Sequence, residues 1–130
     1  MPAHSDTFPW PSSYGHYDFF EQRMAGHDKV ASVIRGEGEG LYEILRSQGD
    51  SMRVFVCECY AFGIAQYMET LERLGRLDAV VVNSAWCNYS IEAKRHARKS
   101  QVGLYKVGEF MAALNRSKHW EHLSALEESR

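Results

Sequence analysis

The sequence predicts an α/β domain with a mixed central sheet flanked by helices. In the first half of the chain, three β-prone runs are separated by glycine-containing turns, which is typical of an antiparallel meander. In the second half, apolar runs alternate with segments whose apolar residues recur every three or four positions, as in β-α-β units. The 130 residues, of which 45% are apolar, suit a single domain with its own core.

The first half predicts one helix and three strands. Phe19, Phe20 and Met24 fall at helical spacing and predict a helix over 17–25. Strands are predicted over 29–34, 41–45 and 52–60. Gly36–Gly40 carries two acids and precedes a strand, so it is interpreted as a hairpin turn and not as a phosphate loop. The third run is almost entirely apolar or β-prone, which predicts a central strand buried on both faces.

The second half predicts parallel strands joined by helices. The predicted elements are a helix over 63–74, a strand over 79–83, a helix over 91–99, a strand over 102–107 and a helix beginning at Glu109. The whole order is α-β-β-β-α-β-α-β-α, and consecutive β-α-β units predict right-handed crossovers.

The two ends of the chain differ from this central part, which is predicted to be one α/β domain over 17–117. Residues 1–16 are interpreted as an irregular arm whose aromatic residues, such as Phe8 and Trp10, dock on the domain or on a partner. Residues 118–130 are predicted to be a polar helical tail, with His119 exposed.

Composition predicts a cytoplasmic protein with no membrane partner. No apolar run approaches the roughly 18 residues that a membrane-spanning helix requires. The first residues have neither the basic start nor the apolar stretch of a signal peptide. Three cysteines, an odd number, favour a reducing compartment, and we interpret them as buried structural residues.

Charge is distributed unevenly along the chain. The formal net charge is −2, yet the stretch from Ile91 to His119 carries +5 and the remainder −7. This asymmetry is compatible with a cationic strip beside an acidic pocket, an arrangement that suits a polyanion and a metal ion. The alternative is that the basic residues Lys94, Arg95, Arg98 and Lys99 form the solvated face of an ordinary helix.

Five segments together resemble the Mrr-type restriction endonuclease-like domains. They are a first helix with an acid at Tyr17–Glu21, an apolar strand at Val54–Tyr60, a short strand ending in small polar residues at Asp78–Ser84, an alanine-rich basic helix at Ile91–Arg98, and a last strand leading into a helix at Val102–Met111. The resemblance spans about residues 17–116 and implies the fold of that family, a mixed sheet flanked by helices.

The resemblance also implies a set of catalytic residues. Such nucleases hold one or two Mg²⁺ ions with carboxylates from two adjacent strands, and a lysine two residues beyond the second acid helps to activate water. Here Glu58 matches the second acid and Glu43 is taken as the first, so both become candidate metal ligands. Tyr60 stands at the position of the lysine, while Gln66 and Glu21 match groups that position water or support the ligands.

The set of catalytic residues that the resemblance implies is incomplete in this sequence at the positions of the lysine and the aspartate. Tyrosine has an ordinary pKa near about 10 and no positive charge at neutral pH, so Tyr60 does not replace an ammonium group. The family's aspartate is absent, and Tyr42 is an alternative to Glu43 in the strand register. Lys94 is a candidate for supplying the missing charge from a helix. The resemblance therefore implies Mg²⁺-dependent phosphodiester chemistry that is impaired or altered.

The two candidate ligands each have a plainer interpretation. A carboxylate in an apolar strand is costly unless it is paired or metal-bound, which makes Glu58 a signal of function. The alternative is a strand-end residue that reaches solvent or pairs with an arginine. For Glu43 the alternative is an exposed acid on an edge strand.

We therefore expect a restriction endonuclease-like domain that interacts with DNA, as a homodimer because cutting two strands takes two sites. The expected DNA-contacting residues are Lys94, Arg95, Arg98, Lys99, Asn83 and Ser84. Two alternatives stay open. One is a non-catalytic scaffold or regulatory subunit of the same fold, and the other is a Rossmann-like module that binds a nucleotide or a protein.

Overall fold

The computed structural model describes residues 8–11, 14–36, 38, 40–83, 87–116 and 118–121. Its elements are, in chain order, α1 (Tyr14–Ala25), β1 (Val30–Arg35), β2 (Leu41–Arg46), β3 (Ser51–Cys57), β4 (Ala61–Phe62), α2 (Ile64–Leu74), β5 (Ala79–Val82), β6 (Asn88–Tyr89), α3 (Ile91–Lys99), β7 (Gly103–Lys106), α4 (Val107–Ala113) and a 3₁₀ helix (His119–Glu121).

A five-stranded mixed sheet in the order β1-β2-β3-β5-β7 forms the centre of the molecule. β1, β2 and β3 pair antiparallel, whereas β5 runs parallel to β3 and β7 runs parallel to β5. The short strands β4 and β6 pair with each other in a separate two-stranded sheet. The predicted mixed sheet flanked by helices is thereby confirmed, and so is the order of its elements apart from the two-residue strands.

Each face of the sheet carries its own core. On one face, α1 and α4 pack Phe20, Met24 and Phe110 against the strands. On the other face, α2 and α3 cover the sheet with small or apolar residues such as Tyr67 and Ala97. β5 is buried along its whole length because helices cover both of its faces.

The hairpin between β1 and β2 depends on a glycine at its second strand. Gly40 has a φ of +78°, and its carbonyl oxygen accepts a hydrogen bond from the backbone N–H of Val56 (2.7 Å). A Cβ atom at this position would overlap the carbonyl oxygen of Val56. The glycine-containing run therefore forms a hairpin turn as predicted, within the residues that the structure describes.

β3 is shorter than the sequence predicts. It ends at Cys57, whereas the apolar run predicts a strand as far as Tyr60. The reason is that the backbone N–H of Glu58 donates to the carbonyl oxygen of Trp10 (2.8 Å), so the arm takes over from the sheet at this point. Glu58 consequently follows the strand and does not lie within it.

Residues 8–11 dock on the domain, as predicted for the arm. The rings of Phe8 and Phe55 stack with centroids 5.6 Å apart, and buried Trp10 meets Phe62 edge to face at 5.8 Å. Helix α1 begins at Tyr14, three residues before the predicted start. Residues 1–7, 12 and 13 lie outside the described residues.

The predicted exposure of His119 is wrong. Its side chain is buried beside Trp120, and its Nδ1 has no hydrogen-bond partner among the described residues. Burial lowers the pKa of His119 to about 4, and the positive charge of Arg46 acts in the same direction. Residues 122–130 of the predicted tail lie outside the part of the chain that the structure describes.

The three cysteines, Cys57, Cys59 and Cys87, are buried as predicted. Burial raises the pKa of the Cys57 thiol well above its ordinary value, and the neighbouring thiol of Cys59 adds to this effect. A thiol in such surroundings remains protonated and unreactive at neutral pH, which agrees with a structural role.

We predict that His119 makes the fold sensitive to acid between about pH 6.5 and pH 4. The unfolded chain takes up the proton as the pH falls below about 6.5, whereas the folded chain resists until about 4. Urea unfolding should therefore show His119→Gln losing about 2.5 kcal/mol less stability than the native chain between pH 8 and pH 4.5. Equal losses in the two proteins would contradict the burial of this imidazole.

Candidate functional site

The candidate site lies where the parallel strands β3 and β5 end side by side. Cys57 pairs with Val82 at the end of the ladder, and the backbone N–H of Asn83 donates to the carbonyl oxygen of Cys57 (2.7 Å). The residues that follow the two strands, Glu58 and Asn83, are thereby brought together where the parallel strands end, which we call the carboxyl edge of the sheet. Open α/β sheets bind their ligands at the carboxyl ends of such strands.

Glu58 is buried, with a residue exposure of 2%, and its carboxylate is partnered by His16 of α1. Nδ1 of His16 lies in hydrogen-bond contact with Oε1 of Glu58. The imidazole side chain itself is 44% exposed, so the pair connects the interior to the surface. A carboxylate that holds one ring nitrogen fixes the orientation of the imidazole and leaves Nε2 to meet a ligand.

His16 was missed from the sequence, because the signal is weak. It precedes the apolar stripe of α1 and stands 42 residues from Glu58, so no local spacing links the two. The burial of Glu58 could be predicted from its apolar neighbours, but the identity of its partner could not.

Asn83 positions the beginning of α1 over the sheet. Its side chain is buried, and Nδ2 donates to the backbone carbonyl oxygen of His16 (3.1 Å). This hydrogen bond gives Asn83 a positioning role, and its predicted contact with DNA stays a prediction. Ser84, also predicted to contact DNA, lies outside the described residues.

A cavity of about 420 Å³ opens beside His16, the partner of Glu58. α1 contributes His16 and Phe19, and the polar lining opposite comes from Lys106 at the end of β7. The remaining lining residues are Val82, Asn83, Val107 and Gly108. Among the described residues, the lining thus combines an ammonium group, an imidazole and an aromatic ring with apolar walls, and it includes no carboxylate.

The structure separates Glu43 from Glu58. Glu43 is exposed on β2, where it lies opposite Arg53 and accepts a hydrogen bond from the Ser51 hydroxyl (3.1 Å). Glu58 follows Arg53 by five residues along the chain, which corresponds to about 16 Å in extended backbone. Both carboxylates would have to come within about 2.2 Å of one Mg²⁺ to share it, so the predicted pair does not fit this ion.

The prediction that Glu43 and Glu58 share a metal ion fails because of the strand register. Pairing of Leu45 with Ser51 across the tight β2–β3 turn fixes the partner of every β2 residue. Within the described ranges, no group of three or more histidine, cysteine, aspartate or glutamate residues is placed to hold a metal ion.

Three other predicted catalytic residues lie in separate places. Tyr60 is exposed beyond the end of β3. Gln66 caps α2, because its Oε1 accepts the backbone N–H of Gly63 (3.0 Å). Glu21 accepts hydrogen bonds from the Tyr42 hydroxyl (2.7 Å) and from Nε of Arg35 (2.5 Å).

Tyr42, the alternative to Glu43, is equally unsuited to a metal. Burial raises the pKa of its hydroxyl, and the hydrogen bond to Glu21 raises it further. The phenol therefore stays protonated and serves to join β2 to α1.

Lys94 is buried and does not face solvent as a phosphate contact would. Its Nζ lies 3.1 Å from the Tyr89 hydroxyl and 3.5 Å from Oε2 of Glu109. It also lies over the rings of Tyr89 and Tyr105, at 4.8 and 4.7 Å from their centroids. This cation joins α3 to α4, so it is not available to replace the missing lysine beside Glu58.

Arg95, Arg98 and Lys99 are exposed on α3, in agreement with the alternative of a solvated helix face. Their helix runs from the carboxyl ends of the parallel strands towards the amino ends of β5 and β7. At those amino ends, the backbone N–H of Gly103 donates to the backbone carbonyl oxygen of Asp78 (3.0 Å). Over nine residues the helix advances by about 13 Å. The last basic residues therefore lie at the opposite end of the sheet from Glu58, and the predicted strip does not border the site.

Comparison of the chain with protein-family models, curated proteins and solved structures finds no match. Among the helices of the described residues, none combines the length and the apolar character needed to cross a membrane.

We predict that Glu58 and Glu43 differ sharply in their contribution to stability. Glu58→Gln turns the charge-assisted hydrogen bond to His16 into a neutral one in a buried position and should lower the free energy of unfolding by about 1–2 kcal/mol. Glu43→Gln, the same substitution at an exposed position in the same sheet, should change it by less than about 0.5 kcal/mol. Urea unfolding at pH 7 measures both values.

The same experiment tests the metal pair when it is repeated with millimolar Mg²⁺. The geometry predicts that Mg²⁺ stabilises neither the native chain nor the variants through this pair. Stabilisation by Mg²⁺ that both substitutions abolish would contradict the separation of the two carboxylates.

Proposed function

We propose that this chain is a restriction endonuclease-like domain that binds DNA phosphates at the carboxyl edge of its sheet, with impaired metal-dependent cleavage. The observation that carries the proposal is the pairing of buried Glu58 with His16, beside a cavity lined by Lys106. A buried carboxylate that holds an imidazole at the end of a central strand, with a cavity beside the imidazole, is typical of a functional site.

The topology supports the same proposal. An initial helix, three antiparallel strands and further parallel strands joined by helices form the order that the resemblance implies. Glu58 directly follows the central strand, close to where the resemblance expects the second acid.

The chemistry of the site favours binding over metal-dependent cleavage. Glu43 lies about 16 Å along the strands from Glu58, and Tyr60 supplies no positive charge. The carboxylate of Glu58 is already engaged by His16. Nε2 of His16 can accept a hydrogen bond when the ring is neutral and donate one to a phosphate oxygen when the ring is protonated.

Electrostatics favour an anionic ligand at this edge. Lys106 is half-buried, and its ammonium group adds a positive charge to a cavity whose lining, as far as the structure describes it, includes no carboxylate. Phosphate groups are bound by lysine as a point charge, and each such contact on DNA releases counterions.

We predict that Lys106→Gln weakens DNA binding by about 3- to 10-fold and reduces the salt dependence by about one counterion. Fluorescence anisotropy with a labelled duplex, titrated at several salt concentrations, gives both values. The matched control is Lys99→Gln, which removes the same charge at the far end of the sheet and should leave affinity within about twofold.

Three outcomes would contradict the proposal. Absence of DNA binding at low salt would favour a nucleotide- or protein-binding module. Loss of affinity in Lys99→Gln with none in Lys106→Gln would move the interface to the α3 face. Plasmid nicking that requires both Mg²⁺ or Mn²⁺ and Glu58, with Glu58→Ala as the control, would restore metal-dependent catalysis.

A second candidate role is that of a non-catalytic scaffold or regulatory subunit of the same fold, acting as a homodimer. It is favoured by Ile64 and Met68, two exposed apolar residues that lie one helical turn apart on α2. Such a patch on a soluble domain is typical of a contact with another protein surface.

We predict for this second role that Met68→Lys shifts the native chain from dimer to monomer in sedimentation velocity, because an ammonium group would be placed in an apolar interface. Ile34→Lys, on the edge strand β1, is the control at another exposed apolar position. A native chain that is monomeric at all concentrations would exclude the dimer.

A further inference from the structure

The ring of Phe19 is exposed beside the cavity, and the phosphate contacts of the proposed function give it no role. Phe19 is 43% exposed, whereas the adjacent Phe20 is fully buried in the core. His16, Phe19 and Arg23 recur at helical spacing and lie on one side of α1. Of these, His16 and Phe19 line the cavity.

The ring of Phe19 is held in place by a cation. Cζ of Arg23 lies 4.9 Å from the ring centroid, at a distance typical of a cation–π contact. A guanidinium group on one ring face orients the ring and leaves the other face for a planar ligand. Fixing an aromatic side chain before binding reduces the entropy that binding would otherwise cost.

The cavity offers complementary chemistry on its other sides. Lys106 supplies a positive charge, and Val82 and Val107 supply apolar wall. A volume of about 420 Å³ lies in the usual range for small-ligand sites, which begins near 300 Å³. An aromatic ring, an apolar wall and an ammonium group together match a nucleobase and its phosphate.

We propose that this cavity takes an unpaired base of a DNA strand, stacked on Phe19, while Lys106 contacts the adjacent phosphate. Inside a duplex both faces of each base are stacked on neighbouring bases, so an unpaired base presents a face to a protein ring far more readily. The domain therefore binds single-stranded DNA or an unpaired end more tightly than it binds an intact duplex. This inference rests on the proposed function, because it specifies the substrate of the same site.

The test compares oligothymidylate with a blunt duplex of equal length, both bound to the full chain at one salt concentration. Phe19→Ala should weaken binding of the single strand by about 5- to 100-fold, the effect of losing one base–aromatic stack. Binding of the duplex should change by less than about twofold. Phe19→Tyr keeps the ring and should retain native affinity for the single strand.

A spectroscopic readout reports stacking directly. A single strand that carries 2-aminopurine should change its fluorescence on binding to the native chain, because the base exchanges its neighbours in the strand for the ring of Phe19. This change should be lost in Phe19→Ala and kept in Phe19→Tyr. Since Phe19 is exposed, thermal unfolding of Phe19→Ala should resemble that of the native chain, which separates lost stacking from lost folding.

The outcomes separate this inference from the function on which it rests. Equal binding of single strand and duplex, dependent on Lys106 but not on Phe19, overturns the unpaired-base site and keeps the DNA-binding function. Absence of binding to either DNA overturns both. Displacement of the single strand by thymidine monophosphate at equal concentration identifies a free nucleotide as the ligand and overturns the single-strand proposal.

Discussion

The carboxyl edge of this fold depends on the burial of one carboxylate. Glu58 leaves the central strand at the point where the sheet ends, in surroundings where an unpartnered charge is costly. His16 partners its side chain, and Trp10 accepts a hydrogen bond from its backbone N–H. Two segments that precede the sheet in the chain, the arm and α1, thus both contact this one residue, and Asn83 also holds α1 from the neighbouring strand.

The burial of Glu58 also bears on metal binding, because in the pattern that the resemblance implies this carboxylate would hold a metal ion. A carboxylate that orients a histidine is committed to an imidazole, so it serves less well as a ligand for a hard cation. The basic groups show a comparable division. Lys94 is held between two tyrosine rings and Glu109, while Lys106 lines the cavity. In the proposed function, the binding groups therefore come from the ends of the strands and from α1.

Most of the fold could be predicted from sequence because it follows from local pattern. Apolar runs and helical stripes are patterns of a few neighbouring residues. The sequence therefore predicts the order of the elements, and it misses only the two-residue strands. The site depends on long-range placement. Glu43 and Glu58 were paired on the assumption of a register that the β2–β3 turn does not provide, and His16 comes from another element altogether. Burial of His119 was hidden for the same reason, because its surroundings are assembled from distant parts of the chain.

The docking of residues 8–11 has a consequence for the order of events during synthesis. Phe8 and Trp10 leave the ribosome before Phe55 and Phe62, the rings against which they pack, have been made. The nascent arm therefore emerges with its aromatic side chains uncovered and waits for about fifty further residues. Closure of this long loop costs conformational entropy, and the edge of the sheet that carries the candidate site can be completed only after the residues of the central strand have been synthesised.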